Sequence, residues 1–327
     1  MIGPRQLSEV RRGTLLVALG ASLWATDLIF RRGPAQELAA TEVVFWEHLI
    51  LAAVCLPILF RNTAALKRLN WRDWVAIVLV GAGSSVLATV LFTEAFSYGE
   101  PTTVVLLQKI QPLIVIAGAR IILGERLKTR FWAYAVPAMA GAYLLSAPAP
   151  SEFTLRSATP ALLSIGAATL WGLGTVLGRQ LLTTVPYMTQ TALRFVVGLP
   201  MATVLLLWMG ADGAVFQARV AEAPTLVALA LVPGLLAVSI YYRGLRQTPA
   251  STATLAELSF PLSAVILGFV LFGNPLSASQ WIGLAVLAVS ITALGLAGDK
   301  GQPMRSLGRT TPRFNLEFGR REASDLE

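Results

Sequence analysis

The sequence predicts an all-α integral membrane protein, with ten transmembrane helices forming two inverted five-helix repeats around a central cavity. Three observations predict it. First, the 327 residues are 55% hydrophobic and 13% charged, whereas soluble domains carry roughly 25% charged residues. That hydrophobic share is about 180 residues, which fills nine or ten bilayer spans of ~20 residues each; the mean hydropathy is +0.66. Second, ten apolar runs of spanning length follow one another along the chain. Third, the second half echoes the first.

The runs lie at about 13–30, 41–60, 74–97, 101–123, 131–148, 158–179, 187–208, 224–245, 250–272 and 279–297. Helices are the expected spanning element, because lipid cannot satisfy a bare backbone and the ten-residue alternation of a barrel strand is missing. The first run follows Arg11-Arg12 as a signal peptide's core would. With nine further runs and no clear small-residue cleavage site behind it, it reads as an uncleaved helix. Between the third and fourth runs stands the turn Ser97-Tyr98-Gly99-Glu100-Pro101, so those helices are expected to be antiparallel neighbours.

Basic residues set the expected orientation. With the N-terminus inside, the inner segments hold nineteen: Arg5, Arg11, Arg12, Arg61, Lys67, Arg68, Arg72, Arg126, Lys128, Arg130, Arg179, Arg243, Arg246 and six beyond residue 297. The outer loops hold four, Arg31, Arg32, Arg156 and Arg219, while Lys109, Arg120 and Arg194 fall within spans. Positive charge concentrates on the cytoplasmic side, so both termini are expected there, with residues 1–12 as a cytoplasmic lead and 298–327 as a mixed-charge, disordered tail. The formal net charge of +8 suits anionic lipid rather than nucleic acid.

A shift of 149 positions lays 101–146 on 250–295 with eight identities in 46 pairs. Pro112, Gly124, Leu127 and Trp132 fall on Pro261, Gly273, Leu276 and Trp281, and Thr103 and Leu106 on Thr252 and Leu255. An offset of 147 places Ala21-Ser22-Leu23-Trp24 on Ala168-Thr169-Leu170-Trp171. The two units, 13–148 and 158–297, each have an odd number of spans and therefore cross in opposite senses. Charge agrees: Gly124-Glu125-Arg126-Leu127-Lys128-Thr129-Arg130 is basic, whereas Gly273-Asn274-Pro275-Leu276-Ser277-Ala278-Ser279 is uncharged. Inverted repeats are a device of secondary transporters, whose substrate sits near the midplane between the halves.

These residues resemble the EamA branch of the drug/metabolite transporter superfamily over about 13–297. The resemblance rests on Pro112 with Gly124-Glu125-Arg126-Leu127, Pro261 with Gly273-Asn274-Pro275-Leu276, the Trp281-Ile282-Gly283 start of the last span, and Trp24 and Trp171. It implies a plasma-membrane exporter of small organic molecules, often amino acids or related metabolites. It also implies that the first, third, fourth, sixth, eighth and ninth spans surround the cavity, with the fifth and tenth outside. Two positions depart from the pattern: Asn274 stands where Glu is usual, and Ala133-Tyr134 where Ile-Gly is usual.

Charge inside a span costs roughly 2.5–3.5 kcal/mol per residue at the helix centre, so intramembrane polar groups mark candidate sites. Gln108 and Gln111 are three apart and share a helix face, with Lys109 about 100° away. The proline that follows, Pro112, removes a backbone donor and frees a carbonyl, making a polar platform suited to a zwitterion. The same groups also suit glue between helices. Glu257 occupies Gln108's place in the second repeat, four residues before Pro261, and reads either as a group for a substrate ammonium or proton, or as a structural partner of Lys109 or Arg194. Trp24, Trp171, Tyr241 and Tyr242 are candidates to line an aromatic cavity, or to wedge helices together. Asp27 stands three residues after Trp24, on the same face. Glu94, with Ser97 and Tyr98, reads either as an entry gate at the outer mouth or, more plainly, as a solvated helix end. Glu47 and His48, with Arg194 matching His48 at offset 146, offer a relay because His titrates near neutrality; a packing pair is the plainer reading. Gly172 and Gly174 offer either a bend in the sixth span or close packing.

No phosphate-binding G-x-x-x-x-G-K-[ST] motif is present, so ATP is not the expected energy source; a substrate gradient or a proton is. His-Glu-x-x-His is missing, and one histidine and one cysteine supply neither a metal cluster nor a disulfide framework. An intramembrane enzyme is therefore not expected, nor any cofactor. The expected partners are a small-molecule substrate and the bilayer; a proton is one candidate coupling ion, and exchange or facilitated diffusion is equally compatible. The expected activity is export of amino acids or related metabolites by alternating access, with a multidrug permease or a non-transporting membrane subunit as the alternatives.

Overall fold

The computed structural model describes residues 4–31, 34, 38–98, 101–146, 158–209 and 222–297. Arg32, Gly99, Glu100, Arg156, Arg219 and the tail beyond 297 lie outside the described residues. Among the described residues the elements are all helical: α1 Pro4–Trp24, α2 Asp27–Arg31, α3 Ala40–Arg61, α4 Thr63–Leu66, α5 Trp71–Tyr98, α6 Pro101–Gln108 and α7 Gln111–Ile121. Then follow α8 Thr129–Ser146, α9 Ala158–Leu181, α10 Tyr187–Trp208, α11 Ala223–Leu245, α12 Ala250–Ala256, α13 Ser259–Phe272 and α14 Ala278–Ala297.

Nine stretches among the described residues are long and apolar enough to cross a membrane. The α6–α7 and α12–α13 pairs each form one of them, and α1 with α2 forms another, whereas α8 is not among the nine. Local chemistry explains several boundaries. Asn70 starts α5, its side-chain oxygen accepting from the N–H groups of Arg72 and Asp73 at 2.8 and 3.1 Å while Asp73 accepts from the Asn70 N–H at 3.0 Å. This capping box carries the start back to Trp71, ahead of the expected 74. The first span breaks at Ala25–Thr26 rather than running through to residue 30.

Prolines place the two interior breaks. Pro112 sits in the first turn of α7, and the chain turns at Lys109–Ile110; Pro261 lies early in α13, and the chain turns at Glu257–Leu258. Proline fits a first helical turn but cannot continue the preceding helix, so α6 and α12 stop short of it. Both Gly124 and Gly273, 149 residues apart, then adopt φ of +67°; that left-handed conformation ends a helix and favours glycine.

The two halves pair element for element. α1 packs along α11, α9 along α5, α3 along α10, and α8 along α14; α7 meets α9 as α13 meets α1. Of these contacts, α1–α11 has its counterpart in α9–α5 and α13–α1 in α7–α9 when the repeats are exchanged, while α3–α10 and α8–α14 pair equivalent elements. Close approach rests on glycine: a Cβ on Gly141 would lie 2.8 Å from the Leu287 nitrogen, and one on Gly283 2.7 Å from the Leu145 nitrogen. Small residues at such seams let backbones touch, the usual basis of helix packing in lipid. Residues 79–87 of α5 and 230–236 of α11 are π-helical, ending on Leu87 and Leu236 at the repeat offset of 149.

Candidate functional site

Glu257 lies at the break between α12 and α13 and is 8% exposed. Three neutral donors converge on it. The Tyr241 hydroxyl of α11 donates to Oε1 at 2.7 Å, the Thr175 hydroxyl of α9 to Oε1 at 3.1 Å, and the Gln111 amide of α7 to Oε2 at 3.0 Å. Thr175 and Tyr241 are also 3.0 Å apart. Four helical elements from both halves of the chain thus meet at one carboxylate. A buried carboxylate requires such donors, because an unpaired one costs far more than its hydrogen bonds return.

Aromatic rings border this cluster. Trp24 of α1 lies 5.0 Å from Tyr241, and Tyr241 lies 5.4 Å from Tyr242, centroid to centroid. Tyr242 is fully buried and accepts a hydrogen bond from Arg194 Nη1 at 3.1 Å. Arg194 Nε donates to the Ser85 hydroxyl at 3.2 Å, and His48 Nε2 lies 3.1 Å from the same hydroxyl. The repeat partners Arg194 and His48 therefore converge on one serine, inside the π-helical part of α5.

Several expected groupings are rearranged. Gln108 and Gln111 take separate partners: Gln111 reaches Glu257, while Gln108 accepts from Lys109 Nζ at 3.5 Å. The reason is the break between them, across which the three-residue spacing no longer means a shared face. Glu257 is hydrogen-bonded to neither Lys109 nor Arg194, the partners considered from sequence, but to Tyr241, Thr175 and Gln111. Trp171 stands apart from Trp24, its ring 5.2 Å from Phe92. Gly172 and Gly174 do not break α9, which runs continuously from Ala158 to Leu181; they admit Ile114 and Ser84, respectively. Glu94 lies near the C-terminal end of α5, partly exposed.

Glu47 and His48 part company. His48 Nδ1 lies 2.9 Å from the Val44 carbonyl and its Nε2 faces Ser85, whereas Glu47 turns to Arg31, 3.1 Å away. Neighbours on a helix point about 100° apart. Arg31 also holds Asp27 through two hydrogen bonds of 2.7 Å. Asp27 thus belongs to an Asp27–Arg31–Glu47 ion cluster rather than to the Trp24 face. Asp27 and Arg31 line a cavity of about 540 Å³ with Gly268, Phe272, Asn274 and Gln280.

Sequence reasoning missed Thr175, Ser85, Arg31 and Glu125 as partners. Thr175 follows Trp171 by one turn on the same face, which is a usable signal; Arg31 reads from sequence only as a loop charge. Glu125, which the sequence places in the basic connection 124–130, caps α12. Its carboxylate accepts from the Ala250 N–H at 2.7 Å, the Ser251 N–H at 3.1 Å and the Ser251 hydroxyl at 2.6 Å.

Comparison with known proteins agrees with this architecture. The model of the EamA-like transporter family matches residues 11–147 and 158–296. A riboflavin transporter, ImpX of Fusobacterium nucleatum, is 31% identical over 288 residues, covering 86% of this chain and 96% of that protein. A riboflavin transporter of Rhizobium johnstonii is 28% identical over 256 residues, covering 76% of this chain and 78% of that one. A solved crystal structure matches 88% of this chain and 97% of its own with a TM-score of 0.71; at 18% identity it attests the fold alone. By sequence and architecture, this multi-pass membrane transporter, which is not an enzyme, belongs to the EamA-like transporter family of the drug/metabolite transporter superfamily.

Proposed function

We propose that the chain moves a neutral, planar, aromatic metabolite of the riboflavin kind across the bacterial inner membrane by alternating access. The observation that carries this reading is the Glu257 cluster, a carboxylate held by Tyr241, Thr175 and Gln111 beside the ring series Trp24, Tyr241 and Tyr242. Rings of that kind stack on a flat heterocycle, and amide and hydroxyl groups match the imide and polyol of a flavin. The names of the two relatives, riboflavin transporters, favour the same class. An amino-acid zwitterion calls for a free cation opposite a free anion. Here the carboxylate is engaged by neutral donors and the Lys109 ammonium rests on Gln108, and neither relative's name points to amino acids.

In this reading ten crossings form two five-helix units, 13–148 and 158–297, one inverted on the other, with both termini cytoplasmic. The end contacts support it. Gln280 at the start of α14 donates to the Leu145 carbonyl at the end of α8 at 3.3 Å, and Gly13 early in α1 packs against Thr248 after α11. Gln111, Glu257, Trp24, Tyr241 and Tyr242 contact substrate when the halves part, with Gln108, Lys109 and Trp171 at its margins. Asp27 and Glu47 gate the outer side through Arg31, and Glu94 lines the mouth. His48 and Arg194 couple α3 and α10 through Ser85. A proton, if it drives accumulation, acts on Glu257.

Counterflow tests this. Proteoliposomes loaded with unlabelled riboflavin are expected to take up labelled riboflavin saturably, competed by flavin analogues and not by amino acids. Glu257→Gln is expected to abolish accumulation driven by a pH gradient. Saturable counterflow of amino acids without flavin uptake would overturn the substrate class.

A further inference from the structure

Four helices, α3, α4, α9 and α11, end at a second hollow, whose lining shares no residue with the Glu257 cluster. It has a volume of about 370 Å³ and is lined by Arg61, Arg68 and Arg246, with Asn62, Thr183 and Thr184 among the remaining lining residues. Arg61 closes α3, Arg68 follows α4, and Arg246 follows α11; the threonines lie in the connection from α9 to α10. Leu182 and Val185, both buried, belong to its apolar lining. No carboxylate lines it among the described residues.

The field there is positive twice over. The 22-residue α10 begins at Tyr187, directly after the lining residue Pro186, with no side-chain cap and no acidic residue in its first turn. Its first N–H groups and the positive end of its dipole therefore add to the three guanidiniums. Guanidiniums form paired hydrogen bonds with phosphate oxygens, and hydroxyls complete such a site. Basic pockets between helices at a membrane surface suit the headgroups of anionic lipids.

We propose that this hollow binds a phosphate group, held by Arg61, Arg68 and Arg246 across the two halves of the chain. Because the ligand bridges α3–α4 of the first half and α9–α11 of the second, its occupancy restrains their relative movement. The phosphate belongs either to an anionic phospholipid or to a soluble ion.

The test uses the full-length protein, measuring its unfolding midpoint in nanodiscs of phosphatidylglycerol against phosphatidylcholine, and in detergent with sodium phosphate against sodium sulfate. Expected is a midpoint several degrees higher in phosphatidylglycerol. The gain should vanish in Arg61→Gln/Arg68→Gln/Arg246→Gln and persist in Arg11→Gln/Arg12→Gln, which removes two exposed charges elsewhere. A gain from phosphate over sulfate, with none from the lipid, would keep the site and assign it to the soluble ion. Should the triple variant not fold, Arg246→Gln alone is expected to retain about fivefold less phosphatidylglycerol by native mass spectrometry. Equal gains in the triple variant and the parent, equal lipid retention in Arg246→Gln, or no gain from either phosphate source would overturn the proposal.

Discussion

Glu125 and Asn274 hold the same place in the two halves, one residue beyond the left-handed glycines Gly124 and Gly273, yet the corners they build differ. At the first, a carboxylate spans to α12 and takes both leading N–H groups and the Ser251 hydroxyl. At the second, a neutral amide lines a cavity of about 540 Å³ with Asp27 and Arg31 opposite. The backbone turn is duplicated; the charge is not. The Glu125 carboxylate ties the first corner to its neighbour, whereas the second corner, which keeps only the Gly and Leu of the seven residues 124–130, borders a hollow.

The comparison can be broken most directly by Glu125→Ala. Losing a charged cap on two N–H groups is expected to cost about 2–3 kcal/mol, seen as a fall in the unfolding midpoint, whereas Asn274→Ala should cost less than about 0.5 kcal/mol. Equal losses would mean that both corners are pinned alike. Next in size, Arg31→Ala at the hollow corner leaves Asp27 and Glu47 facing each other. With Asp27 and Arg31 side chains 32% and 27% exposed, solvent screens part of the effect, and about 1–2 kcal/mol is expected. The double variant Arg31→Ala/Asp27→Asn should recover part of it.

A third experiment should find no difference between the corners. A Cβ on either Gly124 or Gly273 would meet nothing within 4 Å, so alanine at each carries only the cost of the left-handed backbone, about 1 kcal/mol. Unequal shifts in midpoint would show that the turns themselves differ. The smallest effect is kinetic. Asn274→Glu restores a carboxylate to the hollow corner and is expected to slow counterflow about threefold, roughly 0.7 kcal/mol in barrier, with the fold intact. Faster exchange would contradict a closing role for that charge.

Much of the architecture was legible because lipid imposes it: apolar runs, prolines at breaks and an echo at 149 residues are all local or periodic signals. Glu257 and Tyr241 were legible as polar or aromatic groups within apolar spans. Their company was not. Thr175 stands 82 residues from Glu257 and Gln111 146 residues from it, and which faces meet depends on how helices rotate against each other. Arg31 shows the same limit in another form. A charge near a span end looks like an orientation signal until its two carboxylate partners, 4 and 16 residues away, are seen around it. For Gln108 and Gln111 the face arithmetic assumes an unbroken helix, and the turn at Lys109–Ile110 interrupts it.

The wide turns of α5 and α11 carry a further implication. A π-helical turn accommodates one more residue than an α-turn, so everything downstream is re-indexed by about 100° about the helix axis. Tyr241 and Tyr242 lie just beyond residues 230–236. Their orientation toward Glu257 and Arg194 is therefore inherited from a surplus residue one to two turns upstream. Deleting one residue there would swing both phenols off their partners without altering a single side chain in the cluster.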